Sequence, residues 1–139
     1  MLACMRSIHV TGLLDNDEAL SLPYERIMKL FRDSTSTASN YVVGRELCDS
    51  AARRGSVRLL KWTREHNFAW DGIVCNYAAQ YGHLPALQYL HENGCPWDSN
   101  ACNEAAYNKH WDCLQYAVDN KCPEWEIFAE EYAKHLRSM

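Results

Sequence analysis

Apolar and polar positions recur along most of this chain with a fixed 27-residue step. The repeat starts at Cys48, Cys75 and Cys102, and the segments that follow superpose without a gap. Each unit carries an alanine pair, then a leucine, then an aromatic residue: Ala51-Ala52, Leu60 and Trp62; Ala78-Ala79, Leu87 and Tyr89; Ala105-Ala106, Leu114 and Tyr116. A unit this short cannot bury an apolar face alone, so it must stack on its neighbours, and about three copies are needed for stability. The pattern therefore predicts a helical solenoid.

Within the middle unit, helical spacing alternates with residues that start or stop helices. Asp71 can cap a first helix, which Gly82 ends. A second helix begins near Leu84 and stops at Asn93-Gly94, where glycine allows the left-handed conformation that helix ends prefer. Asp98 then caps the first helix of the next unit. The sequence predicts an all-α fold of about three helix pairs.

The segments outside the repeats predict further helices at both ends of the chain. Residues 13–33 contain a helix-like stretch whose start is reset by Pro23, and residues 34–40 are typical of a polar connector. Pro123 stands at a permitted first-turn position of a closing helix. One stripe of that helix is apolar, which predicts a cap with a polar outer face: Trp125, Phe128, Ala129, Tyr132 and Leu136. The predicted divisions are an N-terminal segment, the repeats and a capping helix: 1–39, 40–124 and 125–139.

Charge and hydropathy exclude several classes of function. The chain has 139 residues and a net charge of −4, from 14 basic and 18 acidic residues. A general nucleic-acid binder needs a basic stripe to displace counterions, and this chain has none. No stretch approaches the roughly 18 uninterrupted apolar residues of a membrane span. We therefore expect one cytoplasmic domain that binds neither nucleic acid nor a membrane.

The cysteines are numerous, and they follow the repeat. Of seven cysteines, three occupy one repeat position, and Cys95 and Cys122 share another. Equivalent positions in a helical stack carry equivalent packing roles, which favours buried thiols. Zinc sites usually bring ligands in local pairs such as Cys-x-x-Cys, and none is present. The spacing predicts no metal site and leaves little room for a redox pair, although a zinc- or redox-active cysteine protein remains an alternative.

The sequence contains no motif that indicates catalysis. His83 and His110 share a repeat position at the start of a second helix. A catalytic histidine would need a converging nucleophile and orienting acid, so a structural role in bracing the turn is favoured. Phosphate loops, nucleophile elbows and paired carboxylate motifs are all missing from the sequence. We therefore predict a protein without enzymatic activity or cofactor.

The best indication of a binding surface is the contrast between recurring and variable positions. Positions fixed by stacking recur, whereas the residues directly after the alanine pairs differ from unit to unit: Arg53, Arg54, Gln80, Tyr81, Tyr107 and Asn108. Variable positions can be specialised for a partner, and they can equally be an idle solvated face. Trp70 and Trp97 recur at the turn, which favours packing, but Trp is also over-represented at interface hot spots.

The middle unit resembles a known repeat family. Residues 78–95 follow the pattern Ala-Ala-x-x-Gly-His-Leu-x-x-Leu-x-x-Leu-x-x-x-Gly-Cys, which is similar to the core of an ankyrin repeat. The units are shorter than the family's usual length of about 33 residues. In this they resemble divergent arrays of large DNA viruses, algae and protists, over about residues 44–124. The resemblance implies a non-enzymatic adaptor that holds a protein partner on its concave face, in the host cell if the chain is viral.

A second resemblance lies near the amino terminus. Leu22-Pro-Tyr-Glu, followed by an apolar helix that ends at Leu30-Phe31, resembles the opening of an F-box. This implies an alternative role as a substrate receptor that recruits a ubiquitin ligase, beside the simpler interpretation of a capping helix. The sequence does not identify the protein partner, and the open end of a solenoid can also pair with a second copy.

Overall fold

The computed structural model describes Pro23, residues 25–29 and residues 40–139. All regular secondary structure in this part of the chain is helical, which confirms the predicted all-α class for it. Residues 25–29 are helical. Seven further helices follow: α1 Asn40–Arg54, α2 Val57–Glu65, α3 Gly72–Gln80, α4 Leu84–Glu92, α5 Ser99–Tyr107, α6 Trp111–Asp119 and α7 Trp125–Ser138.

The 27-residue step reappears in the bounds of the helices. The first helices α3 and α5 each have 9 residues, and so do the second helices α2, α4 and α6. Asp71 caps α3 by accepting a hydrogen bond from the Ile73 amide at 3.1 Å, and Asp98 caps α5 through the Asn100 amide at 2.9 Å. The capping residues therefore set the helix starts, as predicted.

Left-handed residues end the helices of each pair. The Gly94 amide bonds to the His91 carbonyl at 3.1 Å, and the Cys95 amide bonds to the Leu90 carbonyl at 2.9 Å. This pair of bonds is a Schellman motif, which requires a positive φ at its central residue. Gly94 supplies a φ of 82°. The same two bonds recur at the amides of Lys109 and His110, although the left-handed residue there is lysine and not glycine.

Lys109→Gly is expected to raise the free energy of unfolding by about 0.5–1 kcal/mol. Lys109 has a φ of 60°, a conformation that costs a residue with a Cβ about 1–2 kcal/mol, while the greater freedom of unfolded glycine removes roughly half of the gain. Urea denaturation measures the change. Lys109→Ala is the control, because it removes the same charge and keeps the strained backbone. Equal stability of the two variants would contradict the interpretation.

The described residues form two compact units. The first comprises residues up to 51 together with residues 56–69. Ser56 caps α2 by accepting from the Leu59 amide at 3.2 Å. The Thr63 hydroxyl donates to the Leu60 carbonyl at 2.7 Å, so this buried polar group is satisfied. The core of the unit is made of buried apolar side chains: Ile27, Met28, Leu47, Cys48, Ala51, Leu59, Leu60 and Trp62.

The second unit comprises residues 52–55 and 70–139. Helix α3 packs against α4 and α5, and α6 packs against α4, α5 and α7. Small residues occupy the seams between helices, as the alanine pairs predict, because small side chains let backbones approach closely. The fully buried side chains of this unit are Ala52, Ala78, Ala79, Ala86, Leu87, Leu90, Ala101, Ala105, Leu114 and Ala117, with four cysteines.

The last helix differs from its prediction in two respects. It begins at Trp125 rather than at Pro123, because Glu124 adopts a left-handed φ of 63° that cannot continue a helix. Helix α7 packs on α6 and α5, but none of its residues is fully buried. Ile127, outside the predicted stripe, is 62% exposed, so the outer face is less polar than expected. Leu136, within the stripe, is 48% exposed, so the stripe is only partly covered.

Candidate protein-binding surface

The C-terminal ends of successive first helices lie side by side in the second unit. His83, which follows α3, places its ring against Gly55, where an added Cβ would lie 2.6 Å from the imidazole. His83 Nε2 lies 2.8 Å from the carbonyl oxygen of Arg53, at the end of α1. Because a carbonyl only accepts, His83 donates from Nε2. One imidazole therefore joins two consecutive helix ends.

The same arrangement recurs one repeat later. His110, which follows α5, lies against Gly82, and an added Cβ would be 2.5 Å from its Nδ1. Gly55 and Gly82 have φ values of 71° and 74°, so glycine is needed both for backbone conformation and for room. The predicted bracing role is confirmed for His83 by its hydrogen bond.

The variable residues at these helix ends make up the candidate surface. We call it the C-terminal row, and it comprises Arg53, Arg54, Gln80, Tyr81, Tyr107 and Asn108. All six belong to the same compact unit. Tyr81 is 50% exposed and Tyr107 is 82% exposed, whereas Gln80 is half-buried. Arg53 is also half-buried, so four members are both variable and exposed: Arg54, Tyr81, Tyr107 and Asn108.

Two side-chain contacts order this surface. The Arg53 guanidinium lies 4.2 Å above the centroid of the Tyr77 ring, a cation–π contact. Asn108 Nδ2 donates to the Glu104 carbonyl at 2.8 Å and so satisfies one carbonyl at the end of α5. Tyr77 was missed by sequence reasoning. Its repeat equivalents are Ser50 and Glu104, which share no property that could have indicated a common role.

The two turn tryptophans pack in equivalent ways. Trp70 is 8% exposed, and its ring meets Tyr89 edge-on at 5.9 Å between centroids. Trp97 meets the equivalent Tyr116 edge-on at 6.1 Å and is half-buried. The shared geometry favours the packing interpretation for both residues. Of the two, Trp97 alone retains a substantial accessible edge.

His91 completes an aromatic cluster that the sequence did not indicate. Its ring stacks on Trp97 with centroids 4.0 Å apart, and its Nδ1 is 3.0 Å from the Tyr116 hydroxyl. Burial, followed by nearby Glu92, raises the pKa of Tyr116 and keeps this hydroxyl protonated. The repeat equivalents of His91 are arginine and valine, so the periodicity carried no signal.

All six cysteines in the described part of the chain are buried, as predicted. The expectation that little room exists for paired thiols is corrected by the structure, because the Cys95 and Cys122 thiols reach the carbonyls of Asp71 and Asp98, at the helix turns that carry Cys75 and Cys102. The 27-residue steps do not show this proximity, because it arises where the loop after each second helix returns the chain to the first helix of the same repeat.

The thiols differ in their acidity. Hydrogen bonding to Cys95, then burial, raises the pKa of Cys75. In the other pair, hydrogen bonding to Cys102 lowers the pKa of Cys122, so this pair loses its first proton from Cys122. Cys113 has no such neighbour, and burial beside Asp112 raises its pKa to about 12.

The described residues contain neither a cluster of metal ligands nor a helix that could span a membrane. Among them, no group of three or more Cys, His, Asp or Glu side chains is arranged to hold a metal ion. None of the helices in this part of the chain is both long and apolar enough to cross a bilayer.

The F-box-like segment lies mostly outside the described residues. Leu22, Phe31 and the connector at 34–39 belong to the part of the chain that is not described. Ile27 is fully buried and Met28 is 1% exposed, which favours packing for this helix over docking on an adaptor. The resemblance to an F-box stays a prediction.

The function of this chain is inferred from its geometry, because comparison with known proteins gave no match: no family model, curated protein or solved structure matches this chain.

Proposed function

We propose that this chain is an ankyrin-like solenoid that binds a protein partner, without catalysis, through the C-terminal row. The observation that carries the proposal is the placement of Tyr81 and Tyr107. Both are large exposed side chains, at 50% and 82%, at the ends of neighbouring helices whose inner positions are packed. Tyrosine and arginine are the residue types that dominate binding energy at protein interfaces.

The buried residues and the hydrogen bond that hold the row in place also support this function. Ala78 and Ala105, one turn or less before the exposed residues, are fully buried. The His83 bond to Arg53 ties adjacent helix ends together. A surface held in place before binding loses little conformational entropy when a partner docks, so more of its contact energy appears as affinity.

The side chains of the row change from basic to aromatic or neutral along its length, which suggests how a partner would be oriented. Its first members are Arg53 and Arg54, at the last turn of α1, and its later members are aromatic or neutral. Arginine pairs well with carboxylates, while tyrosine offers flat apolar area with a polar tip. A partner segment with an acidic group followed by an apolar or planar group fits this order.

The double substitution Tyr81→Ala with Tyr107→Ala is expected to weaken partner binding at least about tenfold. Thermal unfolding is expected to change little, since both side chains are exposed. Affinity purification with mass spectrometry first identifies proteins retained by the wild-type chain. Titration of the purified partner then compares the dissociation constants of the wild-type and variant chains.

The matched control is Ile127→Ala, which removes an apolar side chain of similar exposure from α7, outside the six residues of the row. The control is expected to bind the partner with wild-type affinity. The proposal fails if the partner binds the double variant as tightly as the wild type. It also fails if Ile127→Ala causes the same loss.

A further inference from the structure

Two consecutive repeats carry the same arrangement of cysteines. The Cys95 thiol donates to the carbonyl oxygen of Asp71 at 3.4 Å, and the Cys122 thiol donates to that of Asp98 at 3.0 Å. Both aspartates are N-cap residues, of α3 and α5. In each repeat, the cysteine of the later loop therefore lies against the first turn of the helix that begins the repeat.

That first turn carries a second cysteine. Cys75 and Cys102 each stand four residues after the N-cap whose carbonyl the later cysteine reaches, so each pair meets at one helix turn. All four side chains are buried, with exposures between 0% and 4%. Each pair thus places two thiols at the same helix turn inside one compact unit, with one complete second helix between its partners in the sequence.

We propose that these dithiols are reversible oxidation sites, which form Cys75–Cys95 and Cys102–Cys122 disulfides with a two-electron oxidant such as a peroxide. A thiolate attacks one peroxide oxygen, the O–O bond breaks, and a sulfenic acid and one water form after protonation. The partner thiol then attacks the sulfenic sulfur, and a second water leaves. Two thiols lose two electrons and two protons, and one hydrogen peroxide becomes two waters.

The two pairs are expected to react at different rates. The thiolate is the nucleophile, and the Cys122 thiolate is stabilised by the thiol of Cys102. Hydrogen bonding and burial oppose ionisation of Cys75. Oxidation therefore begins at Cys122, and burial of all four sulfurs makes both reactions depend on transient opening of the unit.

The consequence of oxidation is a short closed loop in each of two repeats. A crosslink that closes a loop of about 20 residues stabilises chiefly by restricting the unfolded chain, on the order of 100-fold in the unfolding equilibrium. The first repeat cannot respond in this way, because Phe68 occupies the position equivalent to Cys95. Oxidation would therefore stiffen the unit that presents the C-terminal row.

The test is treatment of the native chain with hydrogen peroxide, followed by digestion without reduction. Cleavage after Glu and Asp places Cys75, Cys95, Cys102 and Cys122 in four different peptides, 72–92, 93–98, 99–104 and 120–124. Mass spectrometry is expected to find 72–92 linked to 93–98, and 99–104 linked to 120–124, with the second link forming first. Reduction with dithiothreitol is expected to reverse both.

The variant with Cys95→Ser and Cys122→Ser is expected to form neither link and to lose the stabilisation gained on oxidation. Serine can donate to the same Asp71 and Asp98 carbonyls, so the fold is retained. Cys113→Ser is the control, and it is expected to keep both links. Absence of these links, or predominant links to other cysteines, overturns the proposal. The readout requires no partner, so it is independent of the proposed function.

Discussion

Leu87→Ala is expected to lower the free energy of unfolding by about 2–5 kcal/mol. Leu87 is fully buried in α4, a helix that packs against both α3 and α6. Its truncation loses the transfer energy of the buried groups and leaves a cavity that the close-packed alanine seams cannot fill. Because both neighbours of α4 lose contacts, the effect spreads through the second unit.

Chemical denaturation followed by tryptophan fluorescence measures this change. Tyr81→Ala is the matched comparison, since Tyr81 is larger than leucine but 50% exposed. It is expected to change the free energy of unfolding by less than about 0.5 kcal/mol. Equal effects of the two substitutions would show that the inner and outer faces of these helices have been assigned incorrectly.

Gly82→Ala is expected to lower the free energy of unfolding by about 2–4 kcal/mol. This change has a backbone cost and a steric cost, and the same change at Gly94 separates the two. Gly82 has a φ of 74°, and its Cβ would lie 2.5 Å from Nδ1 of His110. Gly94 has a similar φ of 82°, but nothing lies within 4 Å of its added Cβ. Gly94→Ala therefore reports the backbone cost alone, about 1–2 kcal/mol.

The difference between these variants measures how tightly the imidazole is seated against the neighbouring repeat. Adding His110→Ala to Gly82→Ala is expected to remove the excess cost, so that the two changes are not additive. Calorimetric melting of the wild type, the single variants Gly82→Ala, Gly94→Ala and His110→Ala, and the double variant gives the comparison. If Gly82→Ala costs no more than Gly94→Ala, the close approach of His110 to the helix end contributes nothing to stability.

Much of the local structure could be predicted because it depends on neighbours in the sequence. Asp71 and Asp98 cap their helices, and Gly94 adopts the left-handed conformation that ends α4, as expected from residue type and position. Pro123 shows the limit of this reasoning. It is allowed in a first helical turn, but the left-handed Glu124 that follows it moves the helix start to Trp125.

The membership of the candidate surface stays a prediction, and its organisation was not predicted. Variation at residues such as Tyr81 and Tyr107 indicated positions released from packing, and both are exposed. Two contact residues were not apparent, Tyr77 beneath Arg53 in the row and His91 in the aromatic cluster, because both occupy positions where the repeats share no residue type. Periodicity reveals what recurs, and contacts made once leave no periodic signal.

By itself, the sequence determined the capped starts of α3 and α5 and the left-handed end of α4, because these depend on hydrogen bonds and side chains that are close along the chain. Only the tertiary structure decided which distant groups meet: His83 with Gly55, and Cys75 with Cys95. The physical reason is that contacts between residues far apart in the sequence depend on how helices stack and where loops return, which residue spacing alone does not specify.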